Sequence, residues 1–71
     1  GYQATVWLDW DALEGLGVED RLSLLARWVL EAQQTGLRYG LRLPEKTLEP
    51  GSGDEHQHEC LKALALFGRA P

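Results

Sequence analysis

The sequence predicts a small α/β fold, and three observations lead to this prediction. Two short segments, 4–9 and 37–43, alternate in side-chain character with the period of a strand. The segment between them has apolar residues at helical spacing, so a helical link joins the two strands and they run parallel in a right-handed crossover. A chain of 71 residues buries only about 60% of the surface that its unfolded form exposes, so it supports one small core.

The first predicted strand is Ala4–Asp9. Val6 and Leu8 lie on one side of it, and Thr5 and Trp7 lie on the other. Because both sides carry apolar side chains, we expect a central strand that is covered on two faces.

The first predicted helix is Val18–Thr35. Gly36 occupies the position where a left-handed residue ends a helix, and Leu37 can then pack back onto the last turn. Polar residues such as Arg27 and Glu31 occupy the solvent side. The residues expected to face the core recur at helical spacing: Val18, Leu22, Leu25, Val29 and Ala32.

A second strand is predicted over Leu37–Leu43, where a period-two pattern ends at Pro44. Lys46–Glu49 is a short polar strand, and the brief link before it favours antiparallel pairing. Its polarity and the following Pro50 are typical of an edge strand.

The final segment, "EPGSGDEHQHECLKALALFG", predicts a turn followed by a helix. Ser52 and Glu55 have the spacing of a capping box. The order is therefore strand, helix, strand, strand, helix, which is a partial α/β sheet with one antiparallel edge strand. The apolar stripe of the second helix consists of Cys60, Leu61, Leu64 and Phe67.

Composition excludes several classes of function. Eleven acidic and seven basic residues give a net charge of −4, which opposes binding to nucleic acid. The single cysteine excludes an internal disulfide, and the apolar runs are too short to cross a membrane, so we expect a soluble segment. The sequence contains no methionine, so we expect residues 1–71 to be one segment excised from a longer protein.

Asp9 and Asp11 are the candidate metal ligands, because they follow a strand at the end where open α/β sheets bind ligands. Two carboxylates, with Glu14 nearby, can contribute oxygen ligands to Mg²⁺. Alternatively, these acidic residues start a solvated loop and cap the turn that follows. Since Ala12 and Leu13 add no ligand, we expect at most a weak Mg²⁺ site and no other cofactor.

Two further patterns have structural alternatives. His56 and Cys60 fall on one helical face and suggest a zinc site, but His58 points elsewhere, so a buried Cys60 on a capped helix is the simpler interpretation. The glycines of "PGSGDEH" resemble a phosphate cradle, but Asp54 and Glu55 would repel an anion.

The segments "VWLDWDALEG", "ARWVLEAQQTGLRYGLRLP" and "PGSGDEHQHECLKALALF" closely resemble the bacterial domain-of-unknown-function family fifty-eight. The resemblance covers nearly the whole chain. It implies a von Willebrand factor A-like, Rossmann-like domain, of which this chain matches the first half, in a parent protein anchored on the cytoplasmic face of the bacterial inner membrane. It also implies a partnership with a MoxR-type AAA ATPase, as an adaptor or a client.

The resemblance further implies an adhesion motif, Asp-x-Ser-x-Ser, at the end of the first strand. Asp9 matches the aspartate, whereas Asp11 and Leu13 replace the two serines. This departure leaves a degenerate metal site at Asp9 and Asp11 and argues against integrin-like adhesion.

A haloacid-dehalogenase-like phosphatase is the alternative from another class, because "VWLDWDAL" is also similar to the first motif of those enzymes. Asp9 would then be the nucleophile and Asp11 the general acid or base. The expected threonine is Leu13, and the downstream lysine and acidic pair have no clear counterpart, so we expect a non-catalytic protein-interaction segment.

We also expect the isolated chain to form a homodimer. The first strand has no lysine or proline to protect a free edge, at which Val6 would offer an unpaired N–H group. Antiparallel pairing between the first strands of two copies, with Trp7 or Trp10 covering the seam, would give this N–H group a partner.

The three tryptophans, Trp7, Trp10 and Trp28, could mark a binding surface, but large aromatics near a strand or on a helix are more often core residues. We therefore expect them in the core.

Overall fold

The computed structural model describes residues 4–67 and confirms the α/β class and the order of the elements. Trp10–Leu13 forms a single 3₁₀ turn directly after the first strand. The strands and helices are β1 (Thr5–Asp9), α1 (Val18–Thr35), β2 (Arg38–Arg42), β3 (Thr47–Gly51) and α2 (Asp54–Phe67).

The sheet is mixed, with the strand order β1-β2-β3. β1 pairs with β2 in parallel, in a register that places Thr5 opposite Arg38 and Asp9 opposite Arg42. β2 pairs with β3 in antiparallel fashion, as the short link predicts. Both pairings confirm the predicted topology.

β3 is shifted from its predicted position and includes Pro50. Leu43 and Lys46 exchange backbone hydrogen bonds of 2.8 and 3.3 Å, which closes a tight hairpin before the strand begins. An irregularity opposite the Tyr39–Leu41 segment adds one residue to β3, so the ladder accommodates the proline. The Arg38 side chain donates to the Pro50 carbonyl at 3.1 Å and holds this end of the edge strand.

The prediction that β1 is covered on both faces is wrong. Trp7 is 39% exposed and Thr5 is exposed, whereas Leu8 on the opposite side of the strand is buried. In the described part of the chain, both helices pack on the Val6 and Leu8 side of the sheet, and β2 is the central strand. The sequence could not distinguish the two faces because both of them are apolar.

The termini of the helices partly follow the predictions. Gly36 ends α1 in the left-handed conformation with φ 76°, as predicted, and the Leu37 N–H donates to the Ala32 carbonyl at 3.1 Å. The capping box is wrong: α2 begins at Asp54, and Gly53, with φ 97°, supplies the carbonyl that accepts from Gln57. Ser52 lies one residue too early to cap this helix.

One core lies between the sheet and the two helices. The prediction that Val18 faces the core is wrong: its side chain is 51% exposed, because it lies at the very start of α1. The most deeply buried side chains are Leu25, Val29, Tyr39, Leu41 and Cys60.

Within residues 4–67, neither helix combines the length and the apolar character of a membrane span.

Candidate functional site

The structure places Asp9 at the carboxyl end of β1, as predicted, but both of its carboxylate oxygens have partners. Oδ1 accepts a hydrogen bond of 3.0 Å from the Asp11 N–H and caps the 3₁₀ turn. Oδ2 lies 3.6 Å from Nη1 of Arg42, the residue opposite Asp9 in the register with β2. The capping role that was expected as the alternative to metal binding is therefore present.

The surroundings of Asp9 form a cleft of about 270 Å³, which Asp11, Arg42 and Thr47 also line. Asp11 is exposed and lies in this cleft beside Asp9. Within residues 4–67, no group of three or more His, Cys, Asp or Glu side chains is placed to hold a metal ion. Mg²⁺ at Asp9 and Asp11 would have to compete with the Arg42 guanidinium, so a weak site stays a prediction.

Arg42 is a residue of this site that the sequence pattern does not indicate. Its guanidinium carbon lies 4.6 Å from the centre of the Trp7 ring, which is the geometry of a cation–π contact. The indole extends over Gly40, where an added Cβ would come within 2.7 Å of the ring. The parallel register would have revealed this cluster, because it places Trp7 opposite Gly40 and Asp9 opposite Arg42.

His56 and Cys60 meet as predicted, with Nε2 3.6 Å from Sγ, while His58 is exposed and does not join them. The same Nε2 lies 2.6 Å from the Tyr39 carbonyl oxygen. Since a carbonyl only accepts hydrogen bonds, Nε2 carries a proton and donates it, and it is then unable to act as a base toward the thiol.

The electrostatics of this cluster agree with a structural role. Burial, with a smaller contribution from Glu59, raises the pKa of the Cys60 thiol to about 11. A thiol that stays protonated at neutral pH is a poor nucleophile and a poor metal ligand. Tyr39 is fully buried beside it, and its hydroxyl donates to Oε1 of Gln33 at 3.2 Å. His56 and Cys60 therefore hold α2 on the sheet.

The three tryptophans occupy three different environments. Trp10 is 7% exposed, and its ring lies 4.7 Å from that of Phe67 in the core. Trp28 is half-buried on α1. Trp7 lies on the open face of the sheet, so the prediction of core positions is confirmed for Trp10 and wrong for Trp7.

The outer edge of β1 is the second candidate site. The Arg38 N–H donates to the Ala4 carbonyl at 3.3 Å, so the backbone groups of Ala4 point toward β2. Because these groups alternate along a strand, those of Val6 and Leu8 also point toward β2. The N–H and C=O groups of Thr5 and Trp7 point outward, and within residues 4–67 no strand pairs with them. The expectation that Val6 offers an unpaired edge N–H is therefore wrong.

An apolar groove of about 420 Å³ follows this edge. Val6 and Leu8 form its floor, and Trp28, Ala32 and Leu37 line its wall. An extended segment that paired with β1 would place alternate side chains in this groove.

Comparisons with protein families, with curated proteins and with solved structures find no match to this chain.

Proposed function

We propose that this chain is a non-catalytic protein-interaction segment that binds an extended strand of a partner along the outer edge of β1. The observation that supports this proposal most directly is the unpaired edge of β1 in residues 4–67 together with the apolar groove beside it. Strand addition of this kind derives affinity from backbone hydrogen bonds and specificity from pockets for alternate side chains. β1 supplies both features.

The nature of the partner rests on the resemblance to the bacterial family. We propose a MoxR-type AAA ATPase as the partner, with this chain as an adaptor or client segment. We also propose that the parent protein is anchored outside this segment, on the cytoplasmic face of the inner membrane. The excess of acidic residues supports a protein partner over a nucleic acid.

Calorimetric titration of the chain with a purified MoxR-type ATPase tests this proposal. Two variants at one position form a matched pair: Trp7→Ala removes the indole, whereas Trp7→Pro also removes the outward N–H. A proline is tolerated where its missing N–H would face away from the sheet, and circular dichroism checks that both variants fold. We expect Trp7→Ala to bind at least about tenfold more tightly than Trp7→Pro. Absence of binding by the wild-type chain at high micromolar concentration, or equal binding by the two variants, would contradict the proposal.

A phosphatase is the second candidate, and the cleft at Asp9 is the observation that favours it. Arg42 and Thr47 line this cleft with Asp9 and Asp11. A guanidinium can donate two parallel hydrogen bonds to a phosphate. The Arg42 contact and the capping role of Asp9 weigh against it, because both carboxylate oxygens already have partners. Mg²⁺-dependent hydrolysis of an aryl phosphate that is abolished by Asp9→Asn would replace the non-catalytic proposal with this one.

A further inference from the structure

The five residues of β1 are complementary to a second copy of themselves. The outward backbone groups belong to Thr5, Trp7 and Asp9, so an antiparallel partner strand must pair through those same residues. The register centred on Trp7 uses all of them, since it pairs Trp7 with Trp7 and Thr5 with Asp9. It would form about six backbone hydrogen bonds between the copies.

The side chains agree with this register on the covered face. There, Val6 of one copy would lie directly opposite Leu8 of the other, in the closely spaced type of cross-strand pair. The grooves of the two copies would meet over the two-fold axis, where each Trp28 closes the common space. Glu31 lies at the rim of the groove and forms an ion pair of 3.2 Å with Arg27. Because Arg27 offsets its negative charge, repulsion between the Glu31 carboxylates of the two copies is limited.

On the open face, the charges also agree with the register centred on Trp7. Asp9 would lie opposite the neutral Thr5 of the second copy rather than opposite another carboxylate. Arg38, which neighbours Thr5 on β2, would then lie about 10 Å from Asp9 of the second copy, two strand spacings away. Trp7 extends inward over Gly40, so its ring leaves the edge of β1 accessible.

We infer that two copies of the chain pair through β1, antiparallel and centred on Trp7, and join their three-stranded sheets into one continuous sheet. This inference rests on the proposed use of the β1 edge and names a second copy as its occupant in the isolated chain, where a partner strand would compete for the same backbone groups. Trp7 and Trp28 border the seam, whereas Trp10 is buried beside Phe67 and is too far inside the fold to cover it.

Sedimentation velocity over a concentration series up to high micromolar tests this inference, with charge substitutions at Thr5 as the probe. Thr5→Asp faces Asp9 of the second copy, so we expect the dimer dissociation constant to rise about fivefold, whereas Thr5→Lys should lower it by a similar factor. Within one copy the neighbour of Thr5 is Arg38, so the same substitutions should affect the stability of the monomer in the opposite sense. A weaker dimer of Thr5→Asp would therefore not be a consequence of a damaged fold.

Leu66→Lys is the control, because Leu66 is 58% exposed on α2 and lies outside the groove. It should leave the dissociation constant unchanged. A chain that is monomeric throughout, or a dimer on which Thr5→Asp and Thr5→Lys have equal effects, would overturn the inference. A monomeric chain that still binds the ATPase would overturn this inference alone, whereas a dimer that binds no ATPase would overturn only the partner assignment.

Discussion

The two faces of the sheet have opposite environments, although they belong to the same three strands. On the covered face, Tyr39 and Leu41 are completely buried beneath the helices. On the open face, Trp7 is 39% exposed and Arg42 rests on its ring. Leu41 and Arg42, which are adjacent in β2, thus differ in burial, because successive side chains point to opposite sides of a strand.

This difference separates the residues that stabilise the fold from those that remain accessible on its surface. The covered face contains the apolar side chains whose burial stabilises a small fold. The open face and the outer edge of β1 contribute little to the core and have groups that remain accessible to a partner. Four experiments test this separation, and the expected effect decreases from the first to the last.

The largest effect is expected from Leu41→Ala, which opens a cavity in the covered face. Such substitutions cost about 2–5 kcal/mol, while a chain of this size has a free energy of unfolding of about 4–11 kcal/mol. Arg42→Ala, one residue along the same strand, should cost less than about 1 kcal/mol because its contacts are exposed. Urea denaturation followed by circular dichroism compares the two variants. Equal losses would mean that the open face also contributes to the core.

Alkaline pH should have the second-largest effect, because it lowers the free energy of unfolding through two buried groups, Cys60 and Tyr39. Burial raises the pKa of Cys60 from 9.0 to about 11 and that of Tyr39 from 10.0 to about 12. Because the folded state favours the protonated forms, unfolding releases protons in this range, and stability falls as the pH rises. The stability attached to Cys60 is present below pH 9 and is lost between pH 9 and about 11; for Tyr39 the window is pH 10 to about 12.

Urea midpoints measured from about pH 8 to about pH 11 would show this decline. Cys60→Ala provides the control, because it removes the thiol and should flatten the part of the decline that begins near pH 9. An unchanged slope in that variant would assign the decline to other groups.

A smaller effect is expected from Gly40→Ala on the open face. The new methyl group would lie 2.7 Å from the Trp7 ring, which must move away from Arg42, at a cost of about 1 kcal/mol. The cost should shrink in a Trp7→Ala background, because the ring is then absent. The contact of the methyl group with the Leu48 carbonyl, at 3.1 Å, is common to both backgrounds and cancels in the comparison. Equal costs in both backgrounds would show that Leu48, rather than Trp7, requires glycine at this position.

The smallest effect is expected from Mg²⁺ at Asp9 and Asp11. Arg42 and the Asp11 N–H occupy the Asp9 carboxylate, so amide shifts near these residues should saturate only in about the millimolar range or above. Arg42→Ala should strengthen binding, because it removes the competing cation. Tight saturable binding to the wild-type chain that is lost in Asp9→Ala would contradict this prediction.

Much of the fold could be predicted from local patterns. Gly36 ends α1 as predicted, because a left-handed residue is needed there and glycine adopts that conformation without strain. The short link before β3 correctly predicts an antiparallel hairpin. The candidate site was less predictable: Asp9 lies where the pattern places it, but its contact with Arg42 depends on the register between two strands that are distant in the sequence.

The sequence by itself determined the order and the type of the elements, because periodicity and the residues at helix and strand ends act over a few positions. Only the tertiary structure decided which face of β1 the helices cover, and hence that Trp10 is buried while Trp7 is exposed. It also directed His56 to the Tyr39 carbonyl rather than to a metal site. These outcomes depend on how α1 and α2 pack together on one side of the sheet, and packing joins residues that no local pattern connects.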